Sequence, residues 1–502
     1  MTDAPVFGAT NSGRGDALEN AVLIRSVAGL AAGVGFPQFS AFIVAQSAFR
    51  RGLAVTFLRS LPQGEGAPSF ARDGSTAEVF RVSDGRRKIV FHRTETSLVD
   101  PVAAARSHDK AATRAMLARA GLRVPQGIVV KPQDIAAAQA FLSASKADRF
   151  VVKPLDASMV QGVFLDLTAA EVITELRASK RDRLLIEEYI TGPELRVTVV
   201  GGRVADAFIR HPASVIGDGV HSIEELAEIK SAARVKKDGT VRSIFSRRID
   251  LNDGDKQDFL ARTGRKISDI PAAGETVALT RYWDGPHGAD FTPATHLLND
   301  SLKRVCETAA QVANLPVTGI DLLISDNPTT PGSFILELNE RPTLGNATIE
   351  KSVWTALGDA IIDFYFPDSV QNPREPSAVF DYKAIVDAMR STGLTEIALP
   401  QLTPDWQHLR VSFRSEAVCD VIKQRLLRAG AVLIDAAAVE GTGRVLDILL
   451  SPRCRMFLSE QRPAIARLAP ELDAAIRWPD MDETRATFRA ETDQTIKALA
   501  AR

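Results

Sequence analysis

Short apolar runs divided by turn-rich stretches mark the first hundred residues. LAVTFL (53–58) and KIVFHR (88–93) flank LPQGEGAPSF, the pattern of a small α/β domain. From Arg106 to about Pro367 the periodicity changes, and strands alternate with helices. SHDKAATRAMLARAGLRVP predicts a capped helix with Lys110 at its start and Pro125 beyond its end. FVVKP predicts a strand closing on Lys153, followed by the loop DASMVQ, Gly162 and a second apolar strand. LLIEEYITGPELRVTVV reads as strand, a Gly192–Pro193 break, then another strand. VTGIDLLI and FILELNERP add two more. The Pro-rich FPDSVQNPREPSAVF sets a boundary at residues 367–380. Beyond it, HLRVSF, CDVIKQRLLRAG, AVLIDAAAV and RVLDILLS predict a small α+β module, ferredoxin-like or a similar two-layer unit. A closing charged helix, DETRATFRAETDQTIKALAAR, presents a solvated face with internal pairs. The expected fold class is therefore mixed α/β and α+β, divided at 1–105, 106–370 and 380–502.

One stretch raises the question of a membrane. Ser26 to Phe49 carries no charge and is long enough to span a bilayer. Gly35 and Pro37 break it, and it is rich in Ala, Ser and Gly, so it is read as two elements of a water-soluble protein. The opening MTDAPVFGATNSGRGD lacks the basic start and apolar run of a secretory leader.

Composition narrows the partners. At 502 residues and 45% hydrophobic content, the chain has enough apolar material for about three cores. Its 61 basic and 62 acidic residues give a net charge of -1, with no general attraction for nucleic acid or anionic membrane. Cys306, Cys419 and Cys454 are few and far apart, which suits a reducing, cytoplasmic setting and excludes a cysteine-rich zinc site.

The candidate chemistry lies in the middle block. Lys153, at a strand end, is placed to face a phosphate. Backbone groups at Glu188 to Ile190 suit an adenine edge, and Glu194 suits ribose hydroxyls. Glu337 and Asn339 are two apart on a strand and share a face. With Asp321 they form an all-oxygen set of the kind magnesium takes beside nucleotide phosphates.

The ordered set DK, VVKP, EEYI-G-E-R, HPASVIGDGVHSIEEL, IPAAGETVALTR, TGIDLL and ELNERP resembles the ATP-grasp superfamily. Within it, the resemblance is to the ATP-grasp region of cyanophycin synthetases and bifunctional glutathione synthetases, over about Arg106 to Gly345. It implies an ADP-forming carboxylate-amine ligase that activates a carboxylate as an acyl phosphate and joins it to an amine, an amino acid or small peptide. It implies ATP as a substrate and magnesium, as two ions, with manganese as a substitute. Small-molecule substrates are expected, without nucleic acid or membrane, and a homo-oligomer is left open. By resemblance, Lys110 and Lys153 touch the phosphates, and Glu187, Glu188, Tyr189 and Ile190 form the adenine hinge. Glu194 holds the ribose, and Asp321, Glu337 and Asn339 hold the metal. Arg210 and Arg281 face the transferred phosphate, where negative charge accumulates.

Two departures stand against the pattern. The loop DASMVQG keeps only Gly162, with Ala157 and Val160 where relatives have glycines, and so forms a bulkier lid. RYWDGPHGAD replaces an Asn-rich, paired-glycine segment near the acceptor substrate, so Trp283 and His287 hint at a different substrate. No GxxxxGK[ST] motif follows Gly345. The second reading carried by the glycine-poor lid is a nucleotide-binding regulatory or scaffold protein with little turnover.

Overall fold

The computed structural model describes residues 36–59, 76–155, 162–234, 248–285, 287–325, 332–344, 351–371, 380, 382, 385–386, 389–390, 395–399, 407–413, 415–428, 432–439, 443–450 and 452–479. The loop Asp156–Gln161, the basic pair Lys236–Lys237, most of the Pro-rich segment and the closing charged helix fall outside them.

The first core is antiparallel. Strands β1 (Ala54–Leu58), β2 (Val79–Ser83), β3 (Lys88–His92) and β4 (Glu95–Thr96) follow helix α1 (Phe36–Arg50). The helix begins at the Phe36–Pro37 break expected from the sequence, and Phe42, Ala45 and Phe49 are fully buried against the sheet. No helix among the described residues is long and apolar enough to cross a membrane. Each fully buried Phe in this cluster contributes about 1.5–3 kcal/mol. The same core takes in α9 (Lys351–Tyr365), Phe380, Tyr382 and Met389. Its sheet is completed by β16 (Glu396–Ala398), paired antiparallel to β1. The chain thus crosses the boundary expected at 367–380 and returns to its first domain. Thr56, Phe57 and Leu58 stand opposite Ala398, Ile397 and Glu396, a long-range pairing that local periodicity does not report.

Two sheets form the middle block. The four-stranded one has order β5-β8-β6-β7, from β5 (Gly127–Val130), β6 (Phe150–Pro154), β7 (Phe164–Leu167) and β8 (Leu184–Glu188). Helices α4 (Ile135–Ala144) and α5 (Ala169–Ala178) cover one face, where Phe150, Val152 and Ile186 are buried. The five-stranded sheet has order β13-β10-β9-β14-β15, from β9 (Glu194–Val200), β10 (Arg203–His211), β13 (Asp290–Pro293), β14 (Val317–Ser325) and β15 (Gly332–Asn339). Its helix side holds Leu195, Val197 and Val199 against Cys306, Ala309 and Ala310 of α8 (Asp300–Ala313). The strand period of two sends Glu194, Arg196 and Thr198 to the other face.

A side lobe adds β11 (Ser214–Ile216) and β12 (Thr276–Ala278), with α6 (Ile223–Arg234) and α7 (Gly254–Arg262) on their own core. The C-terminal module is a three-stranded antiparallel sheet, β17-β19-β18, from β17 (Gln407–Phe413), β18 (Val432–Val439) and β19 (Gly443–Leu450). Phe413, Ile422, Leu458 and Leu472 form its apolar centre with α10 (Glu416–Arg428) and the short helices after β19.

Candidate active site

Helix α3 (Lys110–Arg119) begins where Asp109 accepts hydrogen bonds from the backbone N–H groups of Ala111 and Ala112. That cap ends the preceding helix α2 (Pro101–His108) and fixes Lys110 at the first turn. Its Nζ lies 3.7 Å from Glu337 of β15. On the four-stranded sheet, Lys153 and Glu187 face away from the helices and are ion-paired across β6 and β8. Arg114 of α3 also approaches Glu187, at 3.6 Å. Both Lys153 and Glu187 are more than nine-tenths buried.

On the five-stranded sheet, register builds a charged row. Arg196 of β9 stands opposite Asp321 of β14, which stands opposite Glu337 of β15. Glu194 stands opposite Arg210 of β10 and is ion-paired with it. Arg196 Nη1 donates to both oxygens of Asp321, at 2.8 and 2.7 Å. Arg210 Nη2 lies 3.2 Å from the same carboxylate, and Asn339 Nδ2 donates to it at 3.2 Å. Gly319 makes room for this: a Cβ there would lie 2.6 Å from the Arg196 guanidinium.

Burial divides the two carboxylates. It pushes Glu194 up to about 7, Asp321 adding to the rise and Arg210 opposing it. Burial alone would raise Asp321 as well, but Arg196 and Arg210 outweigh it and hold the carboxyl below its ordinary value. Asp321 therefore keeps its charge and Glu194 is the first to take a proton. Arg210 is raised, since Asp321 and Glu194 outweigh the cost of burying the guanidinium.

A cavity of about 200 Å³ lies between the sheets. It brings together Lys110, Lys153, Glu187, Glu188, Tyr189, Ile190, Glu194, Arg210, Asp321 and Glu337, all singled out in the sequence. Its apolar lining includes Val151, Val163, Leu165, Leu323 and Leu336. Beside it, the N–H groups of Glu188 and Tyr189 are engaged with the carbonyls of Gln126 and Arg149. Asn339 stands beside the cavity through its bond to Asp321. Arg281 does not line it. Its guanidinium donates to Leu165 O at 2.7 Å and lies over the Phe259 ring. Arg114, Arg196, Tyr282 and Asp284 carried no assigned role in the sequence, while Trp283, read there as a mark of a different substrate, lines the cavity wall with Tyr282 and Asp284. His287 binds Asp284 through Nδ1 at 2.5 Å rather than entering the cavity, and this bond raises its pKa.

As a magnesium site, Asp321, Glu337 and Asn339 fit in donor chemistry: all can offer oxygen, and β14 and β15 bring them side by side. Glu337 is 36% exposed at its side chain and accessible to a cation. Asp321 is already compensated by two guanidiniums, which an incoming ion has to share. Among the described residues no cluster of three or more His, Cys, Asp or Glu forms a metal cage, so the set depends on the Asn339 amide.

A cleft between two antiparallel sheets is the arrangement the ATP-grasp resemblance leads one to expect, and the chain is similar in sequence to bifunctional glutathione biosynthesis proteins. The chain is 34% identical over 247 residues to the glutathione biosynthesis bifunctional protein of Enterococcus faecalis, covering 47% of this chain and 32% of that one. It is 28% identical over 286 residues to the Listeria welshimeri protein of the same description, covering 55% of this chain and 36% of the other. The chain thus spans about a third of the length of these curated relatives. Among solved structures, a bifunctional glutathione synthetase from Pasteurella multocida aligns with 23% identity and a TM-score of 0.42, over 58% of this chain and 40% of that one. No family model matches the chain.

Proposed function

We propose that the protein is an ADP-forming ligase that activates a small carboxylate with ATP and joins it to an amine, an amino acid or short peptide. The observation that carries this reading is the convergence of Lys110, Lys153, the 187–190 hinge, Arg210, Asp321 and Glu337 on one cavity. The nucleobase would lie against the apolar lining at Ile190 and Leu336, and the phosphates where Lys110 and Lys153 stand. Both lysines now rest on carboxylates, so phosphate binding exchanges one anionic partner for another. The carboxylate oxygen attacks the terminal phosphorus and ADP leaves. The amine then attacks the acyl carbon, and phosphate leaves with its electron pair. Arg210 stabilises the charge that gathers on the transferred group. Magnesium, held by Glu337, Asn339 and Asp321, would neutralise phosphate charge and orient the oxygens.

The test is ADP release from the purified protein with magnesium and ATP, against pairs of amino acids, dipeptides and small acids, with mass spectrometry of the product. Release confined to one pair, with a condensed product, supports the ligase. The full engagement of Asp321 by protein donors favours a second reading, a nucleotide-binding regulatory protein. Nucleotide binding by calorimetry without release from any pair would decide for it.

A further inference from the structure

Segment Arg281–Asp284 crosses from one side of the cleft to the other. It follows β12 of the side lobe, yet its polar contacts reach the edge strand of the four-stranded sheet and the residue just before it. Arg281 Nη1 donates to Leu165 O at 2.7 Å, and Tyr282 OH donates to Val163 O at 3.3 Å. Both acceptors are backbone carbonyls, so the ties do not depend on which side chains β7 carries. Tyr282 is further buttressed by the His287 ring, 4.6 Å between centroids. His287 is in turn fixed to Asp284.

Between these ties and Asp284 stands Trp283. It lines the cavity and packs on a small apolar cluster of Ile190, Leu323, Phe334 and Leu336. Ile190 ends the hinge, and Leu336 and Leu323 are strand residues of the opposite sheet. Trp283 therefore belongs to the apolar lining of the cavity. A large aromatic face in this position matches a planar, apolar-faced ligand.

We propose that Trp283 forms a wall of the nucleobase site, carried across the cleft by a strap that Arg281 and Tyr282 tie to the four-stranded sheet. The inference rests on the nucleotide-binding reading above and adds a specificity residue to it. It also gives Arg281 a positioning role in place of direct contact with the transferred phosphate. At about 200 Å³ the cavity is below the ~300–1,000 Å³ of ordinary small-molecule sites, and the strap forms part of the wall that bounds it. Weakening the ties should speed exchange, while removing the indole should cost affinity for the base alone.

The experiment compares wild type, Trp283→Phe and Trp283→Leu by calorimetry, with magnesium ADP and with inorganic tripolyphosphate as a ligand that has phosphates but no base. Tryptophan emission is followed in parallel. Aromatic stacking on a base is worth ~1–3 kcal/mol, so ADP affinity should fall about tenfold or more in Trp283→Leu and less in Trp283→Phe. Tripolyphosphate binding should stay within about twofold in both. ADP should quench emission in wild type, with most of the quench lost in Trp283→Phe although three other tryptophans remain. Arg281→Ala and Tyr282→Phe should release ADP several-fold faster. An unchanged ADP affinity in Trp283→Leu overturns the inference. Equal loss of ADP and tripolyphosphate does so too, because it marks a packing role. Wild type that binds no nucleotide defeats the nucleotide reading itself, an outcome distinct from either.

Discussion

On the four-stranded sheet one carboxylate, Glu187, faces two cations, Lys153 and Arg114. Across the cleft two carboxylates, Glu194 and Asp321, face two guanidiniums, Arg196 and Arg210. The first arrangement leaves positive charge uncompensated and so attracts an anion. The second is closed on itself, and its balance depends on every member. Buried charges of this kind gain little over an apolar core when complete, but leave a severe deficit when one partner is removed. The hinge side is therefore suited to receive an anion, while on the five-stranded side the buried set of Glu194, Arg196, Arg210 and Asp321 holds shape and leaves Glu337, at its accessible end, to meet the ligand.

Four substitutions break or sharpen that contrast. Asp321→Ala, which leaves Arg196 without its carboxylate and Arg210 with Glu194 alone, should cost ~3–5 kcal/mol in denaturant unfolding. Lys153→Ala should leave that midpoint far less changed and weaken nucleotide binding instead. Glu337→Gln, at the accessible end of the same row, should reduce ADP release by about 10²–10³-fold, the scale of losing one transition-state charge contact. Its unfolding midpoint should shift by no more than ~0.5 kcal/mol, as for other accessible positions. Gly319→Ala should cost ~1–3 kcal/mol by overpacking against Arg196. Gly254→Ala, with nothing within 4 Å of the new methyl, is the control that should stay neutral.

The smallest effect is in pH. Glu194 titrates near 7 when folded, against 4.5 in an open chain. It supports the fold fully below pH 4.5, and that support is lost as pH rises through 7. Glu194→Gln should flatten the stability profile between those values. A slope equal to that of wild type would show that another group carries it.

The cleft was legible in the sequence because its members sit inside strands whose apolar alternation fixes their face. Glu337 and Asn339 could be placed on one face of a strand from spacing alone, and Lys153 near the end of a strand from the apolar run before it. Arg196 was missed although it lies two residues after Glu194, since its partner Asp321 is 125 residues away and only register joins them. Arg114 was missed because nothing in α3 indicates that it reaches Glu187. The outline of the N-terminal domain was legible, but its closure was not: β16 is short and pairs with a strand more than three hundred residues earlier. Local pattern records which face a residue takes, not which distant strand it meets.

That return of the chain sets an order of birth as well as a shape. As the protein leaves the ribosome, α1 and the first four strands emerge long before α9 and β16, which complete their core and cover the edge of β1. Every strand lining the cleft emerges in the interval. The opening domain is thus begun before the cleft strands and completed after them, and the outer edge of β1 stays unpaired while they are made. A chain arrested before residue 396 would carry every residue lining the cavity beside an open sheet edge, and so would be prone to capture by another copy of itself.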